Sequence, residues 1–223
     1  MGGGCGQRLH PVAVRVQRRR TSQVRRAGRD IRQGRTLAQP GRLTHNAAMD
    51  EPSCSALIVA VAEAEPYVAA CRDRFDQAAS WGVPAHITVL YPFLAPAQID
   101  ERALSRLRQA AASVPAFFCS LAEVGWFGER VVWLAPRPAR PFLALTAAVT
   151  ARFPSVQPYD GAFDEVVPHL TLGHDHPVAE LAAAADVVGG HLPIRARVTS
   201  MRLAVGVPQA GRSWSTREEF PLG

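Results

Sequence analysis

The sequence predicts an α+β protein, and three observations carry that prediction. Short runs rich in β-branched residues alternate with longer stretches whose apolar residues recur at helical spacing. Two of the short runs, His86–Ile87–Thr88–Val89 and His169–Leu170–Thr171–Leu172, share one pattern of histidine, apolar, threonine, apolar, 83 residues apart. The order strand, helix, His/Thr strand, helix recurs loosely in both halves, the second unit opening at the strand that begins with Arg130. No residue-level repeat accompanies it, so the expectation is of two related lobes rather than a tandem duplication.

Taken in order, Ser55 to Ala62 is short, apolar and β-branched, as a buried strand requires. Pro66, preset for a first helical turn, opens a helix to about Trp81 with Val68, Cys71, Phe75 and Ala79 on one face, and Gly82 stops it. The first His/Thr strand covers roughly residues 86–91 and closes at Pro92. Asp100 supplies an N-cap for a helix through about Ala112, with Leu104, Leu107 and Ala111 turned inward. Phe117 to Val124 and Arg130 to Leu134 read as a hairpin about Gly125 and Gly128. A helix is expected over 139–153, with Phe142, Leu145 and Val149 inward. A long loop with Pro158, Tyr159, Asp160 and Gly161 as turn residues then leads into the second His/Thr strand. A helix over 177–188, one or two strands within 192–207 and a last strand near 213–220 complete the chain.

Charge divides the sequence. Residues 1–48 hold 11 of the 25 basic residues and one acid, Asp30, whereas residues 49–223 hold 14 basic and 18 acidic residues. The net charge of +6 therefore comes from the first segment, and the rest is mildly acidic. Residues 1–48 also lack apolar periodicity, so they read as a disordered Arg-rich extension, with a folded domain over 49–223. Met49 is a plausible true start of translation; the competing reading is an arm that binds nucleic acid through arginine–phosphate contacts. No apolar run reaches the roughly 18 residues of a membrane span, and no apolar segment follows the N-terminal arginines as a signal peptide would require. The expectation is a cytoplasmic protein. Cys5, Cys54, Cys71 and Cys119 show no Cys-x-x-Cys spacing and read as reduced thiols. No oligomeric state is legible, and a monomer is the default.

The matched strands carry the chemistry. In an extended strand alternate side chains share a face, so each run offers an imidazole and a hydroxyl to one surface while its apolar residues anchor in the core. One such pattern is a weak signal. Two with apolar residues at the second and fourth positions are a coincidence of about one in a hundred. Histidine can take or give a proton near neutrality, and threonine can donate to the non-bridging oxygens of a phosphate. Two His/Thr pairs thus supply the parts for cleaving a phosphodiester with no metal or other cofactor.

These runs resemble the motifs of the 2H phosphoesterases, the group of bacterial 2′-5′ RNA ligases and cyclic phosphodiesterases. The likeness runs from about Ala56 to Phe220 and includes His86 to Phe93, Arg130 to Leu134 and Pro168 to Gly173. The resemblance implies two pseudo-symmetric lobes, with antiparallel sheets flanking a central cleft and helices outside. It also implies action on 2′,3′-cyclic phosphates or 2′-5′ linkages of RNA ends or nucleotides, with ligation as the reverse reaction. His86 and His169 are then the catalytic candidates, and Thr88 and Thr171 the phosphate-binding ones. Lesser candidates for substrate contact are Arg130 for a phosphate, and Tyr91, Phe93 and Trp126 for stacking on a base, with Phe127 beside Trp126 in the same rim. Two rivals stand beside this reading: a non-catalytic nucleotide-binding module of the same fold, and a metal-dependent hydrolase using His169, His174 and His176.

Overall fold

The computed structural model describes residues 52–163, 165–208, 211 and 214–223. The Arg-rich segment 1–48 lies outside them, and with it both expectations for that segment. Among the described residues eight strands form two four-stranded sheets, all antiparallel. The first sheet contains β1 (Cys54–Ala60), β2 (His86–Leu90), β7 (Ser200–Gly206) and β8 (Ser215–Pro221), in the order β2-β1-β7-β8. The second contains β3 (Phe117–Phe127), β4 (Val131–Arg137), β5 (Leu170–His174) and β6 (Ile194–Val198), in the order β5-β4-β3-β6. The two His/Thr runs are therefore equivalent edge strands, each antiparallel to the strand before it in its own half.

The helices are α1 (Glu65–Phe75), α2 (Gln77–Ser80), α3 (Glu101–Ala112), α4 (Arg140–Arg152) and α5 (Val178–Gly189). Helix α1 belongs to the first half but packs on β5, and α4 belongs to the second half but packs on β2. This exchange satisfies the edges. Thr146 Oγ1 on α4 donates to the Val89 carbonyl at 2.9 Å, and Cys71 Sγ on α1 donates to the Leu172 carbonyl at 3.5 Å. Both acceptors stand three residues after their strand's histidine, so the relation between the halves extends to single hydrogen bonds.

Burial follows strand parity. Leu57 and Val59 of β1 join Ile87, Val132, Leu134, Leu170 and Leu172 in one core that runs between the sheets, closed by Val68, Phe75, Leu107, Phe142, Leu145 and Val149. The opposite face of β1, with Cys54, Ala56 and Ile58, packs with Trp81, Val83, Ala204 and Trp214 in a smaller cluster. β1 is thus buried on both faces, which is why its sequence is continuously apolar rather than alternating.

The helix expected to run from Pro66 to Trp81 is two helices. Asp76 adopts an extended conformation, its carboxylate accepting from the Ala78 amide as the N-cap of α2. Gly82 then turns the chain at φ +85°, a conformation that favours glycine. Asp100 caps α3 as expected, accepting from the Ala103 amide at 2.8 Å. Asp100→Ala is expected to cost about 1 kcal/mol, read as a lower urea midpoint with an unchanged slope. Cys71 and Cys119 are buried free thiols.

Candidate functional site

The outer faces of the two edge strands meet around one pocket of about 180 Å³. His86, Thr88, His169 and Thr171 line it together, with Tyr91, Tyr159, Asp76, His174, Trp81 and Trp214. The alternation that places Ile87, Val89, Leu170 and Leu172 in the core turns both His/Thr pairs toward this space.

Both imidazoles are tethered in the same way. His86 Nδ1 lies 2.8 Å from the Pro84 carbonyl, and His169 Nδ1 lies 2.6 Å from the Val167 carbonyl, each two residues upstream. A carbonyl can only accept, so each Nδ1 carries a proton. In the neutral ring the lone pair then sits on Nε2, the nitrogen free to exchange a proton with a ligand. Burial disfavours the imidazolium at both positions. It pushes His86 down to about 4, assisted by the Arg72 charge and opposed by the Pro84 carbonyl and Asp76. It also lowers His169, against the Val167 carbonyl and Asp76.

The surroundings of the two rings differ. His169 packs edge-on against Phe127, with ring centroids 4.9 Å apart, and tilted against Trp133 at 5.8 Å. Gly125 passes beneath Trp133, and a Cβ there would run into the indole. On the His86 side stands the buried ion pair Arg72–Asp76, 2.9 Å between charged atoms. Asp76 also faces His174 Nε2 at 3.8 Å, and His174 Nδ1 lies 3.1 Å from Asp175 Oδ2.

Of the residues singled out for the two-histidine reading, His86, His169, Thr88, Thr171 and Tyr91 line the pocket, and Phe93, Trp126, Phe127 and Arg130 do not. Phe93 is core: past Pro92 the chain turns inward, and its ring meets Phe153 edge-on at 5.0 Å. Trp126 packs against the main core, and its neighbour Phe127 takes the place beside His169. The cause is a bulge in β3 between Leu121 and Glu123, which reverses the parity of every residue beyond it. Arg130 stands in the turn after β3, its Nε donating to Asp175 Oδ1 at 2.9 Å, half-exposed and outside the pocket lining. That contact, with His174, holds the Asp175 carboxyl below its usual range against the opposing effect of burial.

Three aromatic residues of the pocket escaped the sequence reading. Trp81 and Trp214, 133 positions apart, face each other with centroids at 6.3 Å and planes within 13°. Tyr159, read only as a turn residue, sits at φ 53° in the left-handed region, its amide bonded to the Tyr91 carbonyl. Burial raises its phenol to about 12, partly offset by a hydrogen bond with Thr88. A bulky aromatic set between the turn formers Pro158 and Asp160–Gly161 was the one available signal. The metal alternative needs His169, His174 and His176 to converge. His176 instead lies edge-on to Phe75 at 5.2 Å, and among the described residues no group of three His, Cys, Asp or Glu is placed to hold a metal.

Two interlocked antiparallel sheets with paired His/Thr edge strands around one pocket define a 2H phosphoesterase-like architecture. The sequence profile of the 2′-5′ RNA ligase superfamily matches residues 60–207, and the chain belongs to that family. Among solved structures it is similar to E. coli LigT complexed with ATP: 18% identity, 77% of this chain and 99% of that one, TM-score 0.52. It is similar also to the protein TT0787 of Thermus thermophilus: 16% identity, 75% and 97% coverage, TM-score 0.52. No curated protein matches the chain in sequence. Among the described residues no helix is long and apolar enough to cross a membrane.

Proposed function

We propose that this protein is a metal-independent phosphodiesterase of the cytoplasm, acting on 2′,3′-cyclic phosphate or 2′-5′ phosphodiester linkages of RNA ends or nucleotides. One observation carries the reading. Two histidines, each with Nδ1–H tied to a backbone carbonyl, line a single pocket with two threonine hydroxyls. The nucleotide held by E. coli LigT suggests the same class of ligand here. In hydrolysis one neutral Nε2 takes a proton from water as its oxygen attacks phosphorus. The other imidazole, protonated, gives its Nε2 proton to the leaving ribose oxygen as the P–O bond breaks. Thr88 and Thr171 donate to the non-bridging oxygens, where negative charge grows. For a 2′-5′ linkage the opposite direction, in which the two histidines exchange roles, joins the 5′-hydroxyl to the phosphate and releases water, which is 2′-5′ ligation.

The test follows hydrolysis of the four 2′,3′-cyclic nucleotides and a 2′-5′ dinucleotide by the full chain in EDTA. Turnover in EDTA is the expected result. Tight binding without product would replace the enzyme by a nucleotide-binding module, and turnover only after adding zinc or manganese would move the chemistry to His169, His174 and His176.

The acid–base mechanism also sets a pH dependence. The competent form holds one neutral and one protonated imidazole, so kcat/KM peaks between the two macroscopic constants of the free protein. Both histidines lie below 6.5, so the bell is expected to be centred on the acid side of pH 6.5. Initial rates on a 2′,3′-cyclic nucleotide, a monoanion throughout the range, measure it; a maximum at pH 8 would contradict the burial of the rings.

A further inference from the structure

The matched tethers make the two histidines equivalent along the backbone, and their surroundings make them different. Among the described residues, Arg72 is the only buried cation and Asp76 the only buried carboxylate. They form one pair, with Arg72 Nε donating to Asp76 Oδ2 at 3.0 Å. Arg72 spends its remaining reach on the first site strand, donating from Nη2 to the Val83 carbonyl at 3.1 Å. Glu65, about two turns earlier on the same helix, accepts from the Ala85 amide. Helix α1 thus grips the chain at positions 83 and 85, on either side of Pro84, whose carbonyl anchors the His86 ring. Behind His169 stand the aromatic rings of Phe127 and Trp133 instead.

We propose that the Arg72–Asp76 pair is a positioning device of the site: Arg72 fixes the backbone to which His86 is tethered, Asp76 holds Arg72 there while lining the pocket, and the two otherwise matched histidines are set in unlike surroundings. The inference rests on the two-histidine reading. Neither residue is assigned contact with the reacting atoms, so both act through the histidines. A buried ion pair need not stabilise a fold relative to apolar side chains of similar size, which leaves room for a role other than stability.

The groups facing this corner are few. From α1 come Glu65 at the Ala85 amide, Arg72 and the thiol of Cys71, which burial raises with help from the Asp76 charge, and Asp76 follows at the end of that helix. From β5 and the residue just before it come His174 and His169, with Asp175 and Arg130 behind His174. From the turn after α4 comes Tyr159, which reaches Thr88. Asp76 favours protonation of both site histidines, whereas Arg72 acts on His86, opposing it and outweighing Asp76 there.

Ring-proton NMR titration of the full-length protein tests this without relying on turnover. In the wild type His86 is expected to titrate below His169; coincident midpoints would overturn the proposal. In Asp76→Asn both midpoints fall. In the double variant Arg72→Met/Asp76→Leu, His86 rises and His169 falls, each by about half to one pH unit. Opposite movement cannot come from general loosening, which would return both rings toward 6.5. If the double variant folds and both midpoints stay or move together, the pair serves stability alone and the proposal fails. The assay on cyclic nucleotides is run in parallel. The titrations moving as stated while wild type turns over no substrate would support the positioning role and sink only the phosphodiesterase reading.

Discussion

His86→Ala and His169→Ala are each expected to lower kcat/KM on a 2′,3′-cyclic nucleotide by about 10²–10⁴-fold, the usual contribution of a positioned general acid or base. The two losses should not add, because removing either group already breaks the proton exchange on which the other depends. The fold should survive both changes. Each ring is partly open to the pocket, and its departure leaves one Nδ1–H···O=C hydrogen bond unmade and, at His169, the contacts with Phe127 and Trp133, while Ile87, Val89, Leu170 and Leu172 keep the strands anchored. Steady-state rates beside a thermal melt check both halves of the expectation. An active His169→Ala protein would remove the two-histidine mechanism outright. An inactive one with a greatly lowered melting temperature would show that the ring supports the packing of Phe127 and Trp133.

The edge strands were legible in the sequence because their signal is local: a period of two, a pair of matched polar residues, and proline or glycine at the ends. Each helix with an apolar face was legible for the same reason, as the caps at Asp100 and Gly82 illustrate. The misreadings share a different cause. Nothing between Pro66 and Trp81 disfavours a continuous helix; α1 ends because Asp76 is drawn into a buried pair with Arg72. Which of Trp126 and Phe127 faces the core and which stands beside His169 turned on a bulge a few residues earlier, and local composition does not announce a bulge. Arg130 had an acidic partner 45 positions away, at a turn whose geometry follows from the register of β4 with β5. The aromatic wall of the pocket needed Trp81 and Trp214 to be brought together by the pairing of β1 with β7. Residues facing a ligand from one strand could be read; residues placed by the meeting of two distant segments could not.

Asp76→Ala is expected to destabilise the protein by about 3–5 kcal/mol, far more than removal of an exposed ion pair. The cause is what remains rather than what is lost. Arg72 is 2% exposed, so without its carboxylate a guanidinium stays charged in an interior that cannot solvate it, and the Ala78 amide loses its cap as well. The Arg72→Met/Asp76→Leu protein should recover most of this loss, because it buries no charge. A residual deficit of about 1–2 kcal/mol is expected, from the Val83 carbonyl left without its donor and the uncapped start of α2. Urea unfolding of the single and double variants measures the difference directly. If the single variant lost less than about 1 kcal/mol, water would have to reach Arg72, and the corner behind His86 would be wetter than its packing indicates. If the double variant were as unstable as the single one, the two hydrogen bonds to backbone rather than the charges would be what holds the segment from Asp76 to Ala85. The direction of that result bears on the site, because the same segment carries His86 to the pocket.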